Sequence, residues 1–168
     1  NGGIIMAIYY GDGTNSTSGR VIQVVSAHKS DATSTTSTSF TDTGLQASIT
    51  PKDNTNKILV ISDAKMGMAS GNIGYVGLFR GDTQIGLGDA NSSQIRCMAA
   101  FDGSSAQHDS CVSPIFFLDS PSTTSSTTYK IRYRGNNGNT VRMNVAGSDR
   151  SSNDGAFGSN IILMEVTA

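Results

Sequence analysis

Between Tyr129 and Arg134 the chain alternates without a break. Tyr129, Ile131 and Tyr133 fall on one side, and Lys130, Arg132 and Arg134 on the other. A period of two fits an extended strand with one face in a core and one in water. It does not fit a helix, whose apolar stripe recurs every three or four residues. The period returns at Leu45, Ala47 and Ile49. It returns again at Val141, Met143 and Val145, with Arg142 and Asn144 opposed. Residues 57–64 (KILVISDA) form a continuous apolar run instead, as expected of a strand covered on both faces.

Turn chemistry separates these segments. Residues 4–10 and 20–27 read as strands, joined by a loop or linker of Gly, Asp, Asn, Ser and Thr over 11–19. Residues 29–39 are almost all hydroxyls with no apolar alternation, which predicts a solvated edge or a long connection. Residues 40–50 read as a strand and 51–56 as a turn. Residues 73–80 and 83–87 flank Gly81-Asp82, the signature of a short hairpin. Residues 94–101 and 111–118 flank a longer loop at 102–105 and read as a second hairpin. Residues 121–128 (PSTTSSTT) are a loop, and residues 160–167 close the chain as a strand. About ten strands at this spacing, with no βαβ alternation and no long internal repeat, predict an all-β antiparallel sandwich or barrel. The expected organisation is an N-terminal arm and linker over 1–19, followed by one domain over 20–168.

Composition agrees. The 24 serines, 17 threonines and 19 glycines favour strands and turns, and 12 Asp stand against a single Glu, Glu165. That balance excludes a helical bundle, a coiled coil and most α/β enzymes. A net charge of −1 without charged blocks gives no basis for nucleic-acid binding. No apolar run approaches the roughly 20 residues needed to span a bilayer, so no membrane insertion is expected. Residues 4–10 are too short and lack the basic flank of a signal peptide. Asn1, in place of Met, is expected to be a processed or excised end.

The last strand is apolar on both sides, with Ile162, Met164 and Val166 against Ile161 and Leu163. In a single sandwich the outer face of a sheet normally meets water. Something must therefore cover the second side. The economical cover is another copy of the chain, which makes these five residues the candidate oligomer interface. The alternative cover is the 29–39 connection.

Four stretches carry a family resemblance: SFTDTGLQASITPKDNTNKILVISDAKMG, GLFRGDTQIG, FFLDSPSTTSSTTYKIRYRGN and the ending SNDGAFGSNIILMEVTA. Together, over roughly residues 20–168, they resemble tailed-phage virion proteins of the tail-fibre and capsid-decorating kind, with a jelly-roll domain of the tumour-necrosis-factor or C1q type. The resemblance implies a homotrimer whose closing strand lies at the centre of a sheet near the threefold axis. It also implies a location in the virion, contacts with other virion proteins, and in the fibre role a host cell-surface glycan as partner. It implies no cofactor and no catalysis, and it leaves residues 4–10 as an arm or the end of a fibre shaft.

The remaining motifs read first as structure. Arg80-Gly81-Asp82 is an integrin-type tripeptide placed where a hairpin needs its turn residues. Cys97 and Cys111 lie symmetrically about Ser104, so a simple hairpin sets them opposite each other; a cross-strand disulfide and two thiols both remain open, the second favoured if the chain matures in a reducing cytoplasm. His28 and His108 have no metal-ligand spacing. Asp149, Asn153 and Asp154 could line a weak calcium site, though no EF-type loop is present. Arg132, Arg134 and Arg142 fall on the polar sides of neighbouring strand candidates. They form a candidate patch for an anionic glycan or a virion partner, with a solvated face balanced by Asp as the plainer reading. Asn15 and Asn91 open Asn-X-Ser/Thr matches, which carry no meaning in a bacterial or phage setting. A carbohydrate-binding module is the alternative function. It wants an exposed aromatic platform, but Trp is absent and Tyr75, Tyr129 and Tyr133 are assigned to core faces. A hydrolase would need converging carboxylates that the spacing does not provide.

Overall fold

The computed structural model describes residues 8–9, 15–16, 19–68, 71–103, 110–146 and 155–168. All its regular structure is strand: β1 (Ile8–Tyr9), β2 (Asn15–Ser16), β3 (Val21–Lys29), β4 (Thr33–Thr35), β5 (Thr41–Ile49), β6 (Lys57–Met68), β7 (Ile73–Arg80), β8 (Thr83–Ile85), β9 (Ala99–Asp102), β10 (Ser110–Asp119), β11 (Thr127–Gly135), β12 (Val141–Met143) and β13 (Ser159–Val166). Two antiparallel sheets form a sandwich, as the alternation predicts. The short β1–β2 pair stands apart from both.

The first sheet is organised by β6. One of its flanks pairs with β13 along Lys57–Ser62 and with β12 along Met66–Met68; the other pairs with β10 along Ile58–Gly67. β3 lies outside β13, and β4 outside β12. The closing strand is therefore interior to its sheet, between β3 and β6. The second sheet runs β5-β11-β7, with β8 and β9 following each other along the free flank of β7.

Packing follows the periodicity. Tyr129, Ile131 and Tyr133 of β11, Leu45, Ala47 and Ile49 of β5, and Val76 and Leu78 of β7 face Ile58, Val60, Ala64 and Met66 of β6 and Ile161 and Leu163 of β13 in one buried cluster. Burial of each such side chain contributes roughly 1.5–3 kcal/mol before entropy is counted. At the turn between β7 and β8, Gly81 takes φ +58°, a left-handed conformation open to glycine. Gly77 is needed for a different reason: a Cβ there would come within 2.9–3.2 Å of Phe79, Gln84 and Phe40, whose side chains close over it.

Three sequence expectations change. Residues 94–101 and 111–118 do not form a hairpin. β9 joins β7 in the second sheet while β10 joins β6 in the first. By contrast, the hydroxyl-rich stretch does carry a sheet edge, one of its two expected readings: Thr33–Thr35 is an edge strand held by backbone pairing to β12, without apolar alternation. Asn15–Ser16 is extended and paired, within what composition reads as linker. Val145 lies beyond the end of β12 and makes an isolated bridge to Ala156.

Candidate functional site

The outer face of the first sheet carries the most unusual surface of the molecule. In an antiparallel ladder, residues directly opposite one another point to the same side. Val24, Met164, Leu59 and Leu118 are such partners across β3, β13, β6 and β10. The next row is Ser26, Ile162, Ile61 and Phe116. Seven of these eight are apolar, and they point away from the core. Phe116 is 68% exposed, Val24 57% and Leu118 48%. Val21 and Ile22 extend the patch at one end. At about 4.8 Å between strands and 3.3 Å per residue, the two rows cover on the order of 250 Å². With Val21 and Ile22 the patch approaches the few hundred Å² of the largest apolar patch on an ordinary monomer, which is often functional.

A polar belt borders the patch. His28 Nδ1 lies 2.9 Å from Asn160 Oδ1. The Asn160 backbone N–H donates to Asp63 Oδ1 at 2.5 Å, its side-chain amide also donates to Asp63, and Lys65 pairs with the same carboxylate. Partial burial works against the ionised Asp63, but Lys65 and the Asn160 donors outweigh it and hold the carboxyl below its usual range. The belt is thus neutralised within the chain.

The five candidate interface residues divide by side. Ile161 and Leu163 are fully buried in the sandwich core. Ile162, Met164 and Val166 are half-buried on the outer face. The outward side chains that complete the patch come from elsewhere. The signal for Phe116 and Leu118 is present in the sequence as an every-second-residue apolar set with Val112. The symmetry of residues 94–101 and 111–118 about a polar loop hides it by suggesting a local hairpin.

The three candidate arginines do not form one patch. Arg132 and Arg134 stand on the outer face of the second sheet, whereas Arg142 is on β12 in the first. Arg132 is already engaged. Its Nε donates to Asp42 at 2.5 Å, its Nη2 donates to Asp82 at 2.6 Å, and its guanidinium lies 4.6 Å from the centre of the Phe79 ring. Lys130 sits 3.8 Å from the same two carboxylates. The hydrogen bond from Arg132, followed by the charges of Lys130 and Arg132, lowers the pKa of Asp82. Arg134 lies over Tyr75 at 5.7 Å. Tyr75 is consequently not a core residue: it alternates with buried Val76 and points outward, capped by this arginine. The plainer reading, a charged face balanced by Asp, holds for Arg132.

The tripeptide at 80–82 is likewise tied down. Arg80 Nη1 bonds both oxygens of Asp119 at 2.9 and 3.1 Å, crossing from β7 to β10, and Asp82 holds Arg132. Cys97 and Cys111 are both free thiols. Cys111 faces Met66, not Cys97, because β10 belongs to the first sheet while Cys97 precedes β9, which belongs to the second. Burial raises both thiol pKa values. Thermal unfolding curves with and without reductant are expected to coincide, and alkylation of the denatured, unreduced chain should add two labels. His108, Asp149, Asn153 and Asp154 lie outside the described residues. Among the described residues no cluster of three or more His, Cys, Asp or Glu could hold a metal, and no helix is long and apolar enough to cross a membrane.

No family model and no curated protein matches the chain. Among solved structures, one titled "Structure of infectious bursal disease virus Gx strain" aligns over 98% of this chain and 42% of that one, at 12% identity and a TM-score of 0.40. The chain spans less than half the length of that neighbour.

Proposed function

We propose that this chain is a non-enzymatic virion structural domain of a tailed phage that assembles as a homotrimer, in a tail-fibre, receptor-binding role ahead of a capsid-decorating one. The observation that carries the reading is the apolar outer face spanning β3, β13, β6 and β10. A monomer gains nothing from placing Phe116, Leu118, Leu59, Ile61, Ile162, Met164 and Val24 in register away from its core. A neighbouring copy that covers them recovers their burial energy. The face suits another copy of itself because its bordering charges, Asp63 and Lys65, already cancel. The edge strand β10 carries Pro114 in its middle, which discourages strand-to-strand addition and leaves face-on packing as the mode of contact. The resemblance to phage fibre and decoration proteins supplies the biological setting.

Native mass spectrometry at micromolar concentration should give a species of about three times the 17.5 kDa chain mass. Phe116→Asp, which places a charge on the face without touching the core, should yield folded monomer. A wild-type monomer, or a Phe116→Asp variant as oligomeric as the wild type, overturns the assembly. Glycan-array binding separates the attachment role from decoration, since a decorating protein should bind nothing there.

A further inference from the structure

The same outer face ends, beyond the polar belt, in a different chemistry. Arg142 on β12 has Ser34 of β4 and Gly67 of β6 as its direct register partners. It lines an open concavity of about 280 Å³ together with Ala32, Thr33, Ser34 and Val145. The residue is half-buried, and no acceptor among the described residues meets its guanidinium. That sets it apart from Arg132, whose charge is used up by two aspartates and an aromatic ring. Five N–H donors without an acceptor among the described residues are an incomplete arrangement. Among the described residues, the Ser34 hydroxyl and the short side chains of Ala32 and Val145 stand beside it. Ser34 is exposed on the same side as Arg142, whereas Thr33, opposite buried Met143, turns its hydroxyl inward to Thr43 O.

We infer that this concavity is a subsite for an acidic monosaccharide unit, with the sugar carboxylate taken by Arg142. A ring hydroxyl would meet Ser34, and the C–H face of the ring would rest on Val145 and Ala32. The guanidinium fork matches a carboxylate in two parallel hydrogen bonds, which gives orientation as well as charge recognition. The open shape and single cation imply weak, millimolar affinity per site, raised by avidity if several copies engage one polysaccharide. The inference rests on the attachment role proposed above for its biology, but the subsite lies within one chain and does not require the trimer.

The test is an NMR titration of the full chain with glucuronate, with glucose and glucose 6-phosphate as the neutral and phosphorylated controls. Glucuronate should shift resonances of residues 32–34 and 142–145 saturably, glucose should not, and added salt should weaken the effect. Arg142→Ala should weaken binding by about tenfold or more, and Arg142→Lys, which keeps the charge but loses the fork, should fall between. Equal shifts with glucose 6-phosphate would redefine the site as a general anion site and overturn the assignment to sugar acids. Absence of saturable shifts, or shifts that survive Arg142→Ala, overturns it altogether. A trimer that fails to bind glucuronate leaves the assembly standing, and a monomer that binds it leaves the subsite standing, so the two proposals fail separately.

Discussion

Glu165→Ala is expected to lower the unfolding free energy by about 3–5 kcal/mol, because it strands two or three buried donors at about 1–3 kcal/mol each. Glu165 is fully buried on the inward side of β13. Its Oε1 accepts the backbone N–H of Lys52 and the side-chain amide of buried Asn56, each at 2.6 Å. With its amide turned, Gln23 donates to Oε2 at 3.1 Å. The carboxylate thus fastens the turn that precedes β6 to the closing strand and to β3. Glu165→Gln keeps one acceptor oxygen for Lys52 and Asn56, and should cost less than half as much. For a chain of this size the alanine variant should melt roughly 10 °C lower, as measured by calorimetry or circular dichroism. An alanine variant within about 1 kcal/mol of wild type would show that water replaces the carboxylate and that the turn is held by its own backbone.

Glu165 also illustrates what the sequence conceals. As the chain's single glutamate it is conspicuous, but its spacing from Lys52 and Asn56 carries no local pattern; these groups meet only because β13 pairs with the start of β6. Strand existence was legible wherever one face is buried. The alternation in β11, the two-apart residues of β5 and the two-sided β13 all express the period of the pleat directly. Pairing was not legible. The symmetry of Cys97 and Cys111 about Ser104 suggested a local hairpin, yet β10 crosses to β6, where Ile115 and Phe117 fill the first sheet's inner side. The strand at Thr33–Thr35 left no apolar signature because an edge strand is held by its backbone.

The candidate surfaces show the same division. That β13 needs cover on its second side follows from composition alone. The breadth of the apolar face follows only from knowing that Val24, Leu59 and Leu118 share a row with Met164. Likewise, three arginines on polar strand faces look alike in sequence. Only the register shows Arg132 neutralised by Asp42 and Asp82, while Arg142 stands on another sheet.

Asp119→Ala should destabilise the fold by about 2–4 kcal/mol at neutral pH. Removing one partner of a buried ion pair typically costs about 3–5 kcal/mol, and the figure is reduced here because the Arg80 side chain remains 32% exposed and can rehydrate. The buried Asp119 carboxylate on β10 receives Arg80 from β7 and the Tyr129 hydroxyl from β11 at 2.7 Å, so it clasps the two sheets together. The clasp also sets a pH limit. Burial first, then the hydrogen bond to Asp119 and the negative charge of Asp119, raise the Tyr129 pKa well above its ordinary value near 10; burial raises Tyr133 in the same direction. In the unfolded chain these phenols ionise near pH 10. Above that pH the unfolded state holds fewer protons than the folded one, so stability falls as pH rises. The contribution is complete below about pH 10 and is lost progressively above it. Denaturant titrations from pH 8 to 11.5 should therefore show a falling midpoint above pH 10, with tyrosinate absorbance from these residues appearing together with unfolding. Tyr129→Phe should cost about 0.5–1.5 kcal/mol at pH 7 and should flatten the alkaline fall without abolishing it, since Tyr133 remains. A Phe variant with an unchanged alkaline slope would mean that Tyr129 ionises freely in the native state, which its burial beneath Asp119 forbids.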